Sequence, residues 1–585
     1  MAHTLSKTKL SRIAALRASA IRLISGRHWT DAKQVCEQLL FEDKSNPDAY
    51  MWLGLVCFHL SLFREGYVWT HRATRLGATD PKRHLVASDC LAGLEEWGSA
   101  VKEIDQYLAV FPDNPLGLSQ KGTYLMAMSD YPAAIQCFRQ GIAVMPSLLP
   151  AFNNIAMCLK DMARGDEAIV YYERSFIASV TAEVQKNLTA AYLYADQVNR
   201  EGYIASRQTW VKRYAKNQPV MRAYNDFDPG RRLRVGVVSS DFRDHPVGRN
   251  FSPYFLAITG FDWFCYSNTR KSDAITEVYQ ERAKRYVVTN DMADQEIAFQ
   301  IRSDKIDVAI YLAPMMDQNR GAVASFLPAP LQISMLDVGA ANIPGIDATM
   351  AHWAITGDEP AMERLVRLPR FYQHPGMPEI PVGKGPSQTG DGFRFGSFNN
   401  PGKIGDAVLS TWREILKGAP NSKLILRYKK QYESKMLRDR ILDFLPADQV
   451  EMQPDIPVTL GHFAAHKEID LGLDTFAFNG STTTFNAAWM GVPTVTHYQW
   501  NMMSRYGRML MTELGMPWLA HDNIDDYIAC AVRLAHSPEI LHDLRLSLRD
   551  TVKSKICKPT GKYLERAVIN LWHKRCAAER NRAAA

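Results

Sequence analysis

The sequence predicts an α-helical solenoid followed by two doubly wound, Rossmann-like α/β lobes. Three observations carry this expectation. A 34-residue period runs through the first third of the chain. From Leu233 onward, short β-rich runs alternate with helical patterns. A stretch rich in glycine and proline, 381–392, interrupts that alternation and divides it in two.

The period is read from proline and alanine. Asn46-Pro47, Asp80-Pro81 and Asn114-Pro115 lie 34 residues apart. Ala32, Ala100, Ala134 and Ala168 keep the same spacing, with Gly66 in the intervening slot. Leu53-Gly54 returns as Lys121-Gly122 after two periods; Phe138 returns as Tyr172, and Pro112 as Pro146. Small residues sit where paired helices approach closest, and aromatics fill the holes between them. This pattern resembles tetratricopeptide repeats. Units begin near residues 47, 81, 115 and 149, with a degenerate unit from about 13 and another reaching about 216. One unit cannot bury its own apolar face, so the units must stack. The concave groove of such a stack suits an extended peptide or a partner protein. A scaffold that only supports the second half of the chain is the alternative.

Residues 217–232 are expected to be a linker, because Asn225-Asp-Phe-Asp-Pro-Gly230 is turn chemistry. Expected strands follow at Leu233–Ser239, Ile306–Leu312, Leu331–Leu336, Phe393–Phe398, Lys423–Arg427, Ile469–Leu473 and Val492–Val495. Helices between them imply parallel sheets covered on both faces. The lobes are expected to span 233–384 and 385–585.

Composition narrows the function. An apolar fraction of 46% is enough for large cores, and no run approaches the ~18 apolar residues of a membrane span. Nine scattered cysteines include no C-x-x-C pair, so a zinc site or disulfide framework is not expected and a reducing, cytoplasmic setting is. The net charge of +7 has acids and bases interspersed. That suits a small anionic ligand better than nucleic acid. The first 30 residues are basic (Lys7, Lys9, Arg12, Arg17, Arg22, Arg27). Their composition resembles that of a transit peptide, but a basic face on the first repeat helix is the preferred reading.

The most informative segment is Leu471-Gly-Leu-Asp-Thr-Phe-Ala-Phe-Asn-Gly-Ser-Thr-Thr-Thr-Phe-Asn-Ala-Ala-Trp-Met-Gly-Val-Pro-Thr-Val-Thr496. A strand leads into Asn479, Gly480 and four hydroxyl residues, and then into a helical pattern. Free N–H groups and the positive end of a helix suit a phosphate, and glycine lets the backbone approach closely. An ordinary capped strand-to-helix turn is the plainer reading.

This segment, with Trp489-Met-Gly-Val-Pro493, resembles the nucleotide-sugar site of O-GlcNAc-transferase-like glycosyltransferases (family 41). Phe395-Gly-Ser-Phe-Asn-Asn-Pro-Gly-Lys-Ile404 is similar to the strand-plus-lysine motif of that family. Arg234-Val-Gly-Val-Val-Ser-Ser-Asp-Phe-Arg-Asp-His-Pro-Val-Gly248 is similar to its first strand and histidine loop. Pro328-Ala-Pro-Leu-Gln332, Glu363-Arg-Leu-Val-Arg-Leu-Pro369 and Ser504-Arg505 are smaller matches. The resemblance runs from about Arg232 to Lys553 and implies the GT-B arrangement, with tetratricopeptide repeats ahead of a transferase.

The resemblance also implies roles. Lys403 would hold the β-phosphate and neutralise the departing nucleotide; alone it reads as a solvated lysine at a helix start. His245 would line the site, and a histidine there can serve as a base near neutral pH. Asp241 and Asp244 would orient it or cap the turn. Asn400, in the lysine motif, and His462, eight residues before Asp470, would contact the donor, His462 near the nucleobase. Gly480, Ser481, Thr482 and Thr483 would cradle the diphosphate. Asn486 stands where the family has an acid on the ribose, so its hydrogen bond lacks charge assistance. Leu336-Asp-Val-Gly-Ala-Ala-Asn-Ile-Pro-Gly345 also departs from the family loop that shapes the acceptor and sugar pocket. No metal is expected, because Asp226-Phe-Asp228 is in the linker and a turn explains it better than Mg²⁺.

The expectation is a metal-independent, inverting glycosyltransferase with no bound cofactor. It would move a sugar from a nucleotide-sugar, UDP-GlcNAc or another UDP-hexose, to Ser/Thr of a protein captured by the repeats. Asn acceptors are an alternative, and flagellin or an adhesin would be acceptors in a bacterium, with a different donor sugar. The rival from another class is a weak or inactive transferase-fold scaffold acting through its repeats.

Overall fold

The computed structural model describes residues 7–178, 181–195, 200–215, 219, 226–316, 318–337, 339–357, 359–453 and 459–584. Packing divides the chain into two compact units, 1–159 and 160–585.

The first unit is a stack of helix pairs. Lys7–Ser25 pairs with Trp29–Glu42, Pro47–His59 with Phe63–Arg75, Lys82–Gly93 with Trp97–Val110, and Pro115–Ala127 with Tyr131–Val144. Two of the three repeated Asx-Pro starts are helix caps. Asn46 Oδ1 accepts from Ala49 N (3.0 Å) and Asn114 Oδ1 from Gly117 N (2.8 Å), with proline in the first turn, where no backbone donor is needed. Ala32, Ala100 and Ala134 are fully buried. Glycine marks the closest approach. A Cβ on Gly54 would lie 2.5 Å from Thr70 Cγ2, and one on Gly122 would lie 2.7 Å from the Phe138 ring. In the basic first helix, Arg12 pairs with Glu42 and Arg17 with Asp48.

The second unit begins with helical pairs that the period assigns to the repeats: Gly165–Ala178, Ala182–Ala191 and Arg200–Trp210. The last two pack into the α/β half. Trp210 and Ala215 share a core with Ile297, Ile301, Tyr311 and Val323. Lys186 Nζ donates to the carbonyl of Asn319 at 2.5 Å. In the linker, residues 217, 218 and 220–225 lie outside the described residues. Asp226–Gly230 is a turn, with Asp228 N donating to Asp226 Oδ1 at 3.1 Å.

Seven parallel strands form the first sheet: β1 Leu233–Ser239, β2 Phe261–Ser267, β3 Arg285–Val288, β4 Val308–Leu312, β5 Leu331–Met335, β6 Ala348–His352 and β7 Arg364–Leu368. Their order is β3-β2-β1-β4-β5-β6-β7. Six parallel strands form the second: β8 Phe393–Ser397, β9 Ser422–Arg427, β10 Val450–Gln453, β11 Leu471–Leu473, β12 Thr494–His497 and β13 Ala520–His521, ordered β10-β9-β8-β11-β12-β13. The central strands are buried on both faces, as helix-covered parallel sheets require.

One segment lies where the lobe boundaries do not put it. The helix Gly561–Ala584, within the expected C-terminal lobe, packs on the N-terminal one, against β5, β7 and the helix Pro246–Ala257. Its buried residues Leu564, Val568, Trp572 and Cys576 recur every four residues, making an apolar stripe. Trp572 Nε1 donates to the carbonyl of Asp228 at 3.3 Å.

Gly54→Val forces atoms into the contact with Thr70 and is expected to destabilise the repeat stack by about 1–3 kcal/mol. Urea unfolding followed by circular dichroism measures this; an unchanged midpoint would mean that the helix pair has slack.

Candidate functional site

Each sheet reverses its strand order once, between β1 and β4 in the first and between β8 and β11 in the second. Crossovers leave such a point toward opposite faces and open a crevice at the carboxyl ends of the strands. His245 follows β1, Lys403 follows β8 and Gly480 follows β11.

The β11 loop is wound around a carboxylate. Asp474 follows the strand directly and is fully buried. Its Oδ1 accepts from the backbone N–H of Gly480 (2.7 Å) and Thr475 (2.9 Å), and its Oδ2 accepts from Thr496 Oγ1 (2.9 Å). Asn479 locks the same loop. Its Nδ2 donates to the carbonyls of Thr475 (2.5 Å) and His497 (3.0 Å), and its Oδ1 accepts from Gly507 N (3.2 Å). A Cβ on Gly480 would lie 2.7 Å from Thr484 Oγ1 and 3.0 Å from Asn399 Oδ1. The loop then starts the helix Thr482–Trp489, whose first N–H groups lack intrahelical acceptors. Thr484 Oγ1 turns inward to the Gly480 carbonyl (2.9 Å), whereas Ser481, Thr482 and Thr483 stay partly exposed.

Lys403 reaches this loop from β8. Its Nζ donates to the carbonyl of Asn479 (3.3 Å) and sits 3.8 Å from the centre of the Phe478 ring. Desolvation pushes its pKa down to about 8, against the pull of Asp474. Desolvation likewise raises Asp474, against the hydrogen bonds it accepts and the charge of Lys403. An anion beside Lys403 would restore the charge environment that burial removes. Asn400 shapes the turn before it, accepting from Gly402 N at 2.9 Å. His462 lies in the helix Thr459–Ala464, and its side chain is outside the described residues.

His245 caps the helix Pro246–Ala257. Its Nδ1 lies 3.4 Å from Val247 N and 3.5 Å from Asp241 Oδ1. Asp241 is buried, whereas Asp244 is turned away to Arg249 Nε at 2.5 Å. A Cβ on Gly248 would lie 2.2 Å from the Asp241 carbonyl, so the loop folds this tightly only over glycine.

Tyr372, after β7, joins these parts. Its buried hydroxyl lies beside Ser481, Thr482 and Asn250, the last on the helix that His245 opens. Burial raises its pKa, and the neighbouring Ser481 opposes that rise. His374, two residues on, stacks on Phe485 with ring centres 4.2 Å apart, and burial pushes its pKa down to about 3. Asn250 Oδ1, Tyr372 Oη, His374 Nε2 and Asn486 Oδ1 are buried and complete no hydrogen bond among the described residues. Buried polar atoms are rarely left so, and a polar ligand is one means of satisfying them. Asn486 is 7% exposed. Asp474, Tyr372, Asn250 and His374 were not singled out from the sequence. Only Asp474 carries a sequence signal, a carboxylate at the end of a strand.

The divergent loop 336–345 has its own partners. Arg207, buried in the helix Arg200–Trp210, donates to the carbonyls of Ala340 and Ala341 (3.0 Å for the latter) and lies 4.0 Å from Asp337. Glu359 accepts from Ala340 N (3.3 Å), and Glu363 from Asn342 N (3.0 Å). Asp337, where the resembling family has glycine, thus lies beside a buried guanidinium.

Residues 388–563 match the family model described as Glycosyl transferase family 41. The chain is 31% identical over 424 residues to a probable UDP-N-acetylglucosamine–peptide N-acetylglucosaminyltransferase SPINDLY of Arabidopsis thaliana, covering 67% of this chain and 45% of that protein. It is 27% identical over 379 residues to the probable UDP-N-acetylglucosamine–peptide N-acetylglucosaminyltransferase SEC of the same plant, covering 60% and 38%. The chain therefore spans less than half the length of these relatives. A solved mutant of the Thermobaculum terrenum O-GlcNAc transferase matches with a TM-score of 0.76 and 25% identity, covering 90% of this chain and 99% of that one.

Asn479→Ala strands the carbonyl of His497 and the N–H of Gly507 and is expected to destabilise the second unit by about 3 kcal/mol or more. Thr483→Ala, at a partly exposed site, is expected to stay within about 0.5 kcal/mol. Equal effects of the two in chemical denaturation would refute the internal role of Asn479.

Proposed function

Since the chain belongs to glycosyl transferase family 41, with an O-GlcNAc-transferase-like fold, we propose that it is a protein glycosyltransferase using a nucleotide-sugar. The donor is UDP-GlcNAc or another UDP-hexose, and the acceptor is a Ser/Thr hydroxyl of a protein held by the repeats. The observation that carries this reading is the ammonium of Lys403 at the carbonyl of Asn479, beside the hydroxyl-rich start of the helix Thr482–Trp489. A cation and a helix start side by side suit a diphosphate.

In this reading Ser481, Thr482, Thr483 and the adjacent N–H groups hold the diphosphate. Lys403 neutralises the charge that grows on the leaving nucleotide, with no metal ion required. Asn486 takes a ribose hydroxyl, and Asn400 and His462 flank the rest of the nucleotide. The acceptor oxygen bonds to the anomeric carbon from the face opposite the diphosphate. The C–O bond to phosphate breaks, its electron pair leaves with the nucleotide, and the configuration inverts. The hydroxyl proton passes to His245, which Asp241 backs.

UDP, GDP and CMP, each with its common sugars, test the donor by thermal stabilisation. A ligand at a hundred times its Kd adds about 2.7 kcal/mol. Stabilisation by UDP and its absence in Lys403→Ala are expected. No shift with any nucleotide would favour the scaffold reading, to which the neutral Asn486 lends some support.

The lowered pKa of Lys403 sets a pH dependence. The anion prefers the ammonium form, so binding is level below about 8 and weakens above it, by up to about tenfold per pH unit. Calorimetric titration with UDP between pH 7 and 10 should show this decline. A flat profile would exclude Lys403 as the titrating group.

A further inference from the structure

A cavity of about 570 Å³ opens at the carboxyl ends of β2, β3 and β4. Asn268, Asn290 and Asn319, on the segments that leave those strands, line one side. The helices Ala182–Ala191 and Arg200–Trp210 and the turn Val211–Ala215 line the other. The whole cavity lies within the second unit. Lys403 and the hydroxyl-rich loop after β11 are not among its lining residues.

The lining is rich in donors and positive charge. Among the described residues, Lys186, Arg213, Arg270 and Arg320 set four cations around the cavity from four separate elements, against the carboxylates of Glu183 and Asp294. Asp294 is already engaged, accepting from Arg320 Nε at 2.7 Å. Lys186, 8% exposed, holds the carbonyl of Asn319. Arg213 lies over the Phe176 ring, 4.4 Å from its centre, and Arg270 is exposed past the end of β2. Two ten-residue helices, Ala182–Ala191 and Asp294–Ser303, start at the cavity, so their first N–H groups and positive ends add to the same field. Trp210 adds one more donor. It is 2% exposed, and its buried Nε1–H completes no hydrogen bond among the described residues. An indole N–H can only donate, so it too calls for an acceptor.

We propose that this cavity anchors an acidic stretch of the protein acceptor, with several Asp or Glu side chains on one segment. A lone phosphate needs its donors gathered at one point, whereas these cations are spread over four elements. The location suits an acceptor as well. Asn319, in the cavity wall, donates from Nδ2 to Asp241 Oδ2 at 2.9 Å, and Asp241 belongs to the loop that carries His245. An acidic segment held here lies along the strand ends of the sheet that presents that loop. The inference rests on the reading of this chain as a protein glycosyltransferase.

The test uses the full chain and a fluorescein-labelled octaglutamate peptide, followed by anisotropy, with labelled octalysine as the control. Octaglutamate is expected to bind and octalysine is not, and the binding should weaken about threefold or more as salt rises from about 50 to about 200 mM. Arg213→Glu combined with Arg270→Glu should weaken it about tenfold or more. The same reversals at Arg413 and Arg438, exposed on the helices Asp406–Gly418 and Lys435–Phe444 of the other lobe, should change it less than about twofold. Arg270→Gln, a milder change at an exposed site, should weaken it about threefold, and it carries the test if the double reversal folds poorly. Saturating UDP should not displace the peptide. No binding of octaglutamate, equal losses from the two pairs of reversals, or displacement by UDP would overturn the proposal. Octaglutamate held as expected by a chain that no nucleotide stabilises would uphold the acidic-peptide site and refute the transferase reading instead.

Discussion

Asp474 is a carboxylate taken entirely out of water at the end of β11, and its desolvation must be offset locally. Two backbone N–H groups, a threonine hydroxyl and the nearby charge of Lys403 do this. To deliver the N–H of Gly480 to that carboxylate, the chain must turn back tightly after Phe478. The same turn exposes Ser481 to Thr483 and starts a helix. The loop geometry that suits a diphosphate is thus a by-product of satisfying one buried charge. Asn479 adds a second internal lock and turns its own carbonyl toward Lys403.

Strand order supplies the rest. Each sheet reverses once, and the residues with chemical potential lie at the two reversals. Tyr372, on the segment leaving the first sheet, sits between the two, with its hydroxyl beside Asn250 of one lobe and Ser481 of the other. The helices after residue 160 belong to this assembly as much as to the repeats, through Lys186 at Asn319 and Arg207 at the loop 336–345.

The parts legible in the sequence are those with local periodicity. The 34-residue spacing marked helix pairs because small residues must recur wherever helices touch. β1 was readable to the residue, because Val235–Val238 lies between Leu233 and a Ser-Ser pair that ends the run. β3 and β7 were not, since both are short and arginine-bearing; β6, Ala-Thr-Met-Ala-His, lacks strong strand formers and owes its burial to neighbouring strands. Lys403, His245 and the hydroxyl cluster stood out because motif and strand end coincide. Asn319 and Tyr372 did not, because each acts through partners far away in the chain. Asn319 and Asp241 are 78 residues apart. The outward packing of the last helix escaped for the same reason.

That last helix, Gly561–Ala584, has a consequence for synthesis. It covers the helix Pro246–Ala257, which leaves the ribosome some 300 residues earlier, on the order of 15–60 s at about 5–20 residues per second. For that interval the first lobe is a nascent domain with an apolar face uncovered, and it completes its fold only when this helix has emerged. The covering helix is therefore a timer: chaperone demand should persist until it has been made, and a chain stopped just before Gly561 would keep its first lobe open.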